Sequence, residues 1–168
     1  MKVIESSDKL KLVHSDIRGP VFEKAMEMTR AGIEVLKLNT GNPATFGFGM
    51  PDSVKQALLA NTDKAVAYCD AKGMPEAREA ICAYHLSRGL QGVTPNDIFI
   101  GNGVSEIAQM LCSSILSQGD ELLMPAPSYS LWSNAAFLAG AKPVFYICDE
   151  KSGWYPDVAD MEKKVTAR

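Results

Sequence analysis

The stretch NDIFIGNGVSEIAQMLCSSIL, Asn96 to Leu116, decides the fold. Apolar Asp97–Ile100 predicts a strand, and Val104–Leu116 predicts an amphipathic helix. Val104, Ile107, Ala108, Leu111 and Ile115 recur at helical spacing and predict its buried face. Between strand and helix stand Gly101 and Gly103, the barest backbone the chain can offer. The first amides of a helix have no partner within it, and the helix dipole adds to their pull on an anion. A glycine there admits an anion to the main chain without meeting a Cβ. Two readings stay open at this point: a phosphate cradle, with Ser105 adding a hydroxyl, or a tight strand–helix turn with no ligand.

Outward from this turn the rhythm repeats. Towards the C-terminus, strand Glu121–Met124, a helix over 128–139 stopped by Gly140, strand Pro143–Ile147 and a last helix in YPDVADMEKKV are predicted. Towards the N-terminus, PEAREAICAYHLSRG reads as a helix begun by Pro75 and stopped by Gly89. Before it come a helix in PDSVKQALLAN with Asp52 as a possible cap, a loop NTGNPATFGFGMP rich in Gly and Pro, a short strand EVLKL and a helix in RGPVFEKAMEMTRAG. The first fifteen residues or so read as a polar arm. Strands alternating with helices predict an α/β fold with a mostly parallel sheet covered by helices, which binds ligands beyond the carboxyl ends of its strands.

Composition narrows the function. The 168 residues are 46% hydrophobic and 22% charged, ordinary for a globular protein with one sizeable core. The net charge is −3 and Lys and Arg are scattered, which argues against a nucleic-acid partner. MKVIESSDKLKLV lacks the apolar core of a signal peptide, and no apolar run has the length of a membrane span, so a cytoplasmic protein is expected. Cys69, Cys82, Cys112 and Cys148 have no C-x-x-C spacing and only His14 and His85 for company. Reduced, mostly buried cysteines are expected, and no metal site.

Which phosphate compound would suit the turn? A dinucleotide fingerprint needs a third glycine, but that position holds Glu106. The next strand ends in Pro125–Ala126–Pro127 with no acid for a ribose, and no phosphate-loop lysine follows the turn. The loop MPAPSYSLW instead holds Tyr129 beside the turn, a flat ring suited to stack on a flat heteroaromatic cofactor. Tyr129 and Trp132 would serve equally as filling over the sheet.

Four stretches in order, LKLNTGNPATFGF (36–48), AYCDAKGMPEAREAI (67–81), IGNGVSE (100–106) and LLMPAPSYSLW (122–132), resemble the fold-type I, pyridoxal-phosphate-dependent class I/II aminotransferases. SDIRGPVFEKA and GWYPDVADME are similar to the alanine aminotransferase (glutamate–pyruvate) branch. The resemblance covers nearly the whole chain. It implies the N-terminal part of the family's large domain, with helices on both faces of the sheet. Residues 1–50 would be an N-terminal arm and small-domain segment with a substrate loop, and residues 51–168 the first part of an incomplete cofactor-binding domain.

The same resemblance implies residue roles. Gly103, Val104 and Ser105 would hold the phosphate of pyridoxal 5'-phosphate through main-chain amides; many relatives have a hydroxyl where this chain has Val104. Tyr129 would stack on the pyridine ring. Tyr68 would reach the phosphate of the partner subunit in a homodimer. Gly41 would bind the substrate carboxylate through its N–H. Glu106, a carboxylate beside a phosphate, is expected to point away. No catalytic residue is assigned, because the Schiff-base lysine of relatives lies beyond Arg168, as do the aspartate that pairs with the ring nitrogen and the arginine that binds the substrate. The strand before the phosphate turn would pair with a strand of that missing half, so the chain reads as an N-terminal piece, inactive alone. The substrates implied are an amino acid of alanine or glutamate type and a 2-oxo acid. A carbon–sulfur lyase of the same fold and a non-catalytic binding domain are the alternatives, and neither nucleic acid nor membrane is an expected partner.

Overall fold

The computed structural model describes residues 5–14 and 19–167. Among these residues the helices are α1 (Pro20–Arg30), α2 (Asp52–Ala60), α3 (Pro75–Ser87), α4 (Val104–Ile115), α5 (Leu131–Ala139) and α6 (Val158–Lys164). The strands are β1 (Glu121–Ala126), β2 (Lys142–Asp149) and β3 (Tyr155–Pro156). The chain divides into two compact units, one of residues 1–35 with 102–168 and one of residues 36–101.

The first unit is built on β1–α5–β2. β1 and β2 pair in parallel from Glu121 opposite Lys142 to Ala126 opposite Ile147, as the alternation of strand and helix predicts. β3 adds a two-residue antiparallel rung, Cys148 with Pro156 and Asp149 with Tyr155. That rung takes up the first residues of the expected last helix, so α6 begins only after Asp157, whose carboxylate caps the Asp160 N–H at 3.0 Å. α6 then closes the far edge of β2. The Asp160 carboxylate accepts the Ile147 N–H at 2.9 Å, and the Lys164 ammonium donates to the Phe145 carbonyl at 2.7 Å. These two side chains satisfy backbone groups that an edge strand would otherwise leave open.

α4 and α5 pack together through small residues: Ala108, Cys112, Ala135 and Ala136 are all buried. This corrects the expected α4 face. Val104, Ile107, Leu111 and Ile115 are 64%, 43%, 45% and 64% exposed, because α5 covers only the Ala108–Cys112 side. The arm joins this unit by polar contacts. Asn134 on α5 receives the His14 N–H at 3.0 Å and donates to the His14 carbonyl at 2.6 Å, while Lys9 donates to the Leu138 carbonyl.

The second unit holds α2 and α3. Asp52 is the first helical residue of α2 rather than its cap; the cap position is Pro51, which makes no side-chain cap hydrogen bond. The expected strand EVLKL is irregular backbone. The expected strand Asp97–Ile100 is also corrected. Pro95–Asp97 is a 3₁₀ turn, because the Asp97 carboxylate accepts the Thr94 N–H at 2.9 Å and its hydroxyl at 2.7 Å. Ile98 that follows is extended, yet Ile98–Ile100 has no sheet partner among the described residues. Its link is instead the Ile100 N–H, donated to the Lys72 carbonyl at 2.9 Å.

The interior of this unit centres on Arg78, 7% exposed on α3. Its Nε donates to the Gly73 carbonyl at 3.1 Å and Nη1 to the Pro95 carbonyl at 3.0 Å, with Nη2 3.7 Å from the Asp70 carboxylate. Cys82 lies beside it, buried, with Sγ 3.4 Å from the Val93 carbonyl.

Candidate cofactor site

α4 begins where the sequence changes from glycine to apolar residues. Gly103 is its N-cap, with φ of 84°, a left-handed value that only glycine adopts at no cost. No side chain caps the first turn. A Cβ built on Gly103 would meet nothing within 4 Å, so the space over the turn is open. Val104 and Ser105 follow at the first two helical positions and are exposed. The geometry therefore presents main-chain amides to a free volume at the positive end of a twelve-residue helix.

Glu106 departs from expectation. Its carboxylate does not point away; it turns back to accept the Asn102 N–H. This is the return half of a capping box, displaced by one residue. It satisfies the amide just before the turn and leaves those of Val104 and Ser105 to a ligand. It also keeps a negative charge close to that ligand.

Val104 and Tyr129 line one concavity of about 390 Å³ together with Met124, Pro125, Ser128 and Trp132. β1 supplies its floor from Leu122 to Pro125, and its aromatic wall comes from Tyr129 in the loop after β1 and Trp132 at the start of α5. Tyr129 sits in that loop, two residues before α5, and is 53% exposed. The loop contains a cis peptide bond at Ala126–Pro127. Main-chain donors at one end and a half-open ring at the other fit a phosphate joined to a flat ring. Ser128 was not singled out from the sequence; its place between Pro127 and Tyr129, just past β1, is the signal that would have found it.

Gly41 and Tyr68 lie in the second unit. Gly41 is in the exposed loop before the 3₁₀ turn Pro43–Phe46, with nothing within 4 Å of a built Cβ. Tyr68 follows the 3₁₀ turn Thr62–Val66 and is fully exposed, at 107% of its reference area. No cluster of three His, Cys, Asp or Glu suited to a metal occurs among the described residues. No described helix is long and apolar enough to cross a membrane.

The family model for aminotransferase class I and II matches residues 33–168. The chain belongs to the class I and II aminotransferases. Glutamate-pyruvate aminotransferase AlaA of Haemophilus influenzae is 47% identical over 168 residues, covering 100% of this chain and 42% of the relative. Alanine aminotransferase of Mycobacterium bovis is 42% identical, covering 99% of this chain and 39% of its own length. Among solved structures, an aminotransferase from Escherichia coli matches with a TM-score of 0.92 at 47% identity, over 98% of this chain and 41% of that one. The alanine aminotransferase from Pyrococcus furiosus matches with a TM-score of 0.89 at 34% identity, over 96% and 41%. The chain thus has the fold-type I aminotransferase fold. It spans about 42% of the length of the glutamate-pyruvate aminotransferases it matches.

Proposed function

We propose that these residues form the N-terminal part of a pyridoxal-phosphate-dependent aminotransferase that moves an amino group between an amino acid of alanine or glutamate type and a 2-oxo acid. The observation that carries the cofactor reading is the meeting of Val104 and Tyr129 on one concavity beside the open turn at Gly103. The substrate class rests on the relatives' names, glutamate-pyruvate and alanine aminotransferase. Residues 1–50 would be the arm and small-domain segment, and residues 51–168 the first part of the cofactor-binding domain.

In this reading the amides of Gly103, Val104 and Ser105 bind the phosphate, with no protein charge neutralising it among those three residues. Tyr129 orients the ring by stacking. The Gly41 N–H binds the substrate carboxylate. Tyr68, projecting from the surface, reaches the phosphate bound by a second copy in a homodimer. Pyridoxal phosphate, once bound, supplies an aldehyde for the substrate amine and a ring that withdraws electrons from the carbon losing its proton. The four free cysteines suit a reducing compartment, and the cytoplasm is the proposed one.

Equilibrium titration of the complete protein with pyridoxal phosphate tests the cofactor reading. A saturable visible band is expected, together with amino transfer from glutamate to pyruvate. Binding without transfer would leave the cofactor site and remove the substrate class. Absence of binding would remove both.

A further inference from the structure

We propose that Arg78 is a positioning residue for cofactor binding, acting on the partner's phosphate through the segment that carries Tyr68. The inference rests on the cross-subunit role of Tyr68 proposed above. Tyr68 is wholly exposed and makes no packing contact that would fix its place by itself. Its direction therefore depends on how firmly the following residues, Asp70 to Gly73, are held. Those residues are held from three sides. The Gly73 N–H closes a turn on the Asp70 carbonyl at 2.8 Å, and the Lys72 N–H donates to the Asp70 carboxylate at 2.8 Å. The Lys72 carbonyl takes the Ile100 N–H, while its ammonium donates to the Asn96 carbonyl at 2.7 Å and lies 4.8 Å over the Phe99 ring.

Arg78 closes the set. One guanidinium bonds two carbonyls from distant parts of the chain, Gly73 and Pro95, and faces Asp70. A buried cation needs such partners, and those carbonyls lose their donor if it goes. Only the planar fork of arginine spans both acceptors; a lysine ammonium is a single point that reaches one of them. Arg78 is buried and its partners are Gly73, Pro95 and Asp70, so its effect must pass through the loop.

The test is a double-mutant cycle in the complete dimer, with Arg78→Lys, Tyr68→Phe and both together. The readout is the equilibrium dissociation constant for pyridoxal phosphate, with pyridoxal, which lacks the phosphate, measured in parallel. Arg78→Lys is expected to weaken pyridoxal phosphate binding by about fivefold or more alone, and by less than about twofold when Tyr68 is already Phe. Pyridoxal affinity is expected to stay unchanged in every variant. Equal losses in both Tyr68 backgrounds, or an equal loss for pyridoxal, would show a general structural effect and overturn the proposal. So would unchanged affinity in Arg78→Lys. If Tyr68→Phe alone leaves phosphate binding intact, the cross-subunit reading of Tyr68 fails and takes this inference with it. Arg78→Gln provides the same comparison with a neutral side chain should the lysine variant not fold.

Discussion

At Gly103 two properties coincide that can be separated by substitution. Its φ of 84° penalises any side chain, and the space beyond it is open to a ligand. An alanine there meets no protein atom, so its cost is conformational, about 1–3 kcal/mol of stability for a backbone at φ 84° and ψ 166°. A valine adds two methyl groups that would occupy the phosphate position. Gly103→Val is expected to lower pyridoxal phosphate affinity at least about tenfold, or about 1.4 kcal/mol, in equilibrium titration. Gly103→Ala is expected to lose less affinity than Gly103→Val. Equal affinity in wild type and Gly103→Val would mean that the glycine serves only to turn the chain. The turn was legible in the residues because glycine at a helix start has few other uses. The direction of Glu106 was not, because a carboxylate at the third helical position is free to face solvent or its own backbone.

Two element-level features show where stability is concentrated. Gly73, at φ of 102°, has Ile100 where a side chain would begin: a Cβ would come within 2.7 Å of Ile100 Cβ and 2.8 Å of its Cδ1. Gly73→Ala is therefore expected to cost more than Gly103→Ala, roughly 2–4 kcal/mol from backbone strain plus overpacking. Denaturant midpoints of the two variants compare them directly, and equal losses would contradict the close approach. The second feature is the cover of β2 by α6. The Lys164 ammonium, 2.7 Å away, and then the Ile147 N–H hold the Asp160 carboxyl below its usual range. The hydroxyl and N–H of Thr94 do the same for Asp97. A depressed folded-state value means stability that is present at neutral pH and lost as pH falls below the ordinary aspartate value of about 3.9. Asp160→Asn should thus be less stable than wild type at pH 7, and the gap should close below pH 4 or so. Urea unfolding at several pH values measures it; a gap that widens on acidification would refute the assignment.

For the whole molecule, exposure is the dominant fact. Val104, Ile107, Leu111 and Ile115 on α4 and Phe99 before it are large apolar side chains left 43–64% open. Tyr68 is more open still. The complete protein is expected to sediment as a homodimer at micromolar concentration, with Tyr68 at the interface. Sedimentation as a monomer under those conditions would count against the proposed partner contact. Residues 1–168 expressed alone are expected to show no amino transfer in a glutamate–pyruvate assay, since they span only 42% of the length of the glutamate-pyruvate aminotransferases they match.

The sequence by itself determined the βαβ order, the parallel relation of the strands at Glu121–Met124 and Pro143–Ile147, the glycine turn at the start of α4 and the family. Each is a local signal: apolar period, proline and glycine punctuation, or an ordered set of short motifs. Tertiary structure alone decided which face of α4 is covered, because Ile107 and Ala108 carry similar apolar signals and only the nearness of α5 separates them. It also decided that Ile98–Ile100 takes no sheet partner among the described residues, since an extended segment becomes a strand only when another offers its backbone groups. The place of Arg78 was equally hidden. Nothing in PEAREAI distinguishes a solvated arginine from a buried one until the carbonyls of Gly73 and Pro95, far apart in sequence, are brought to it.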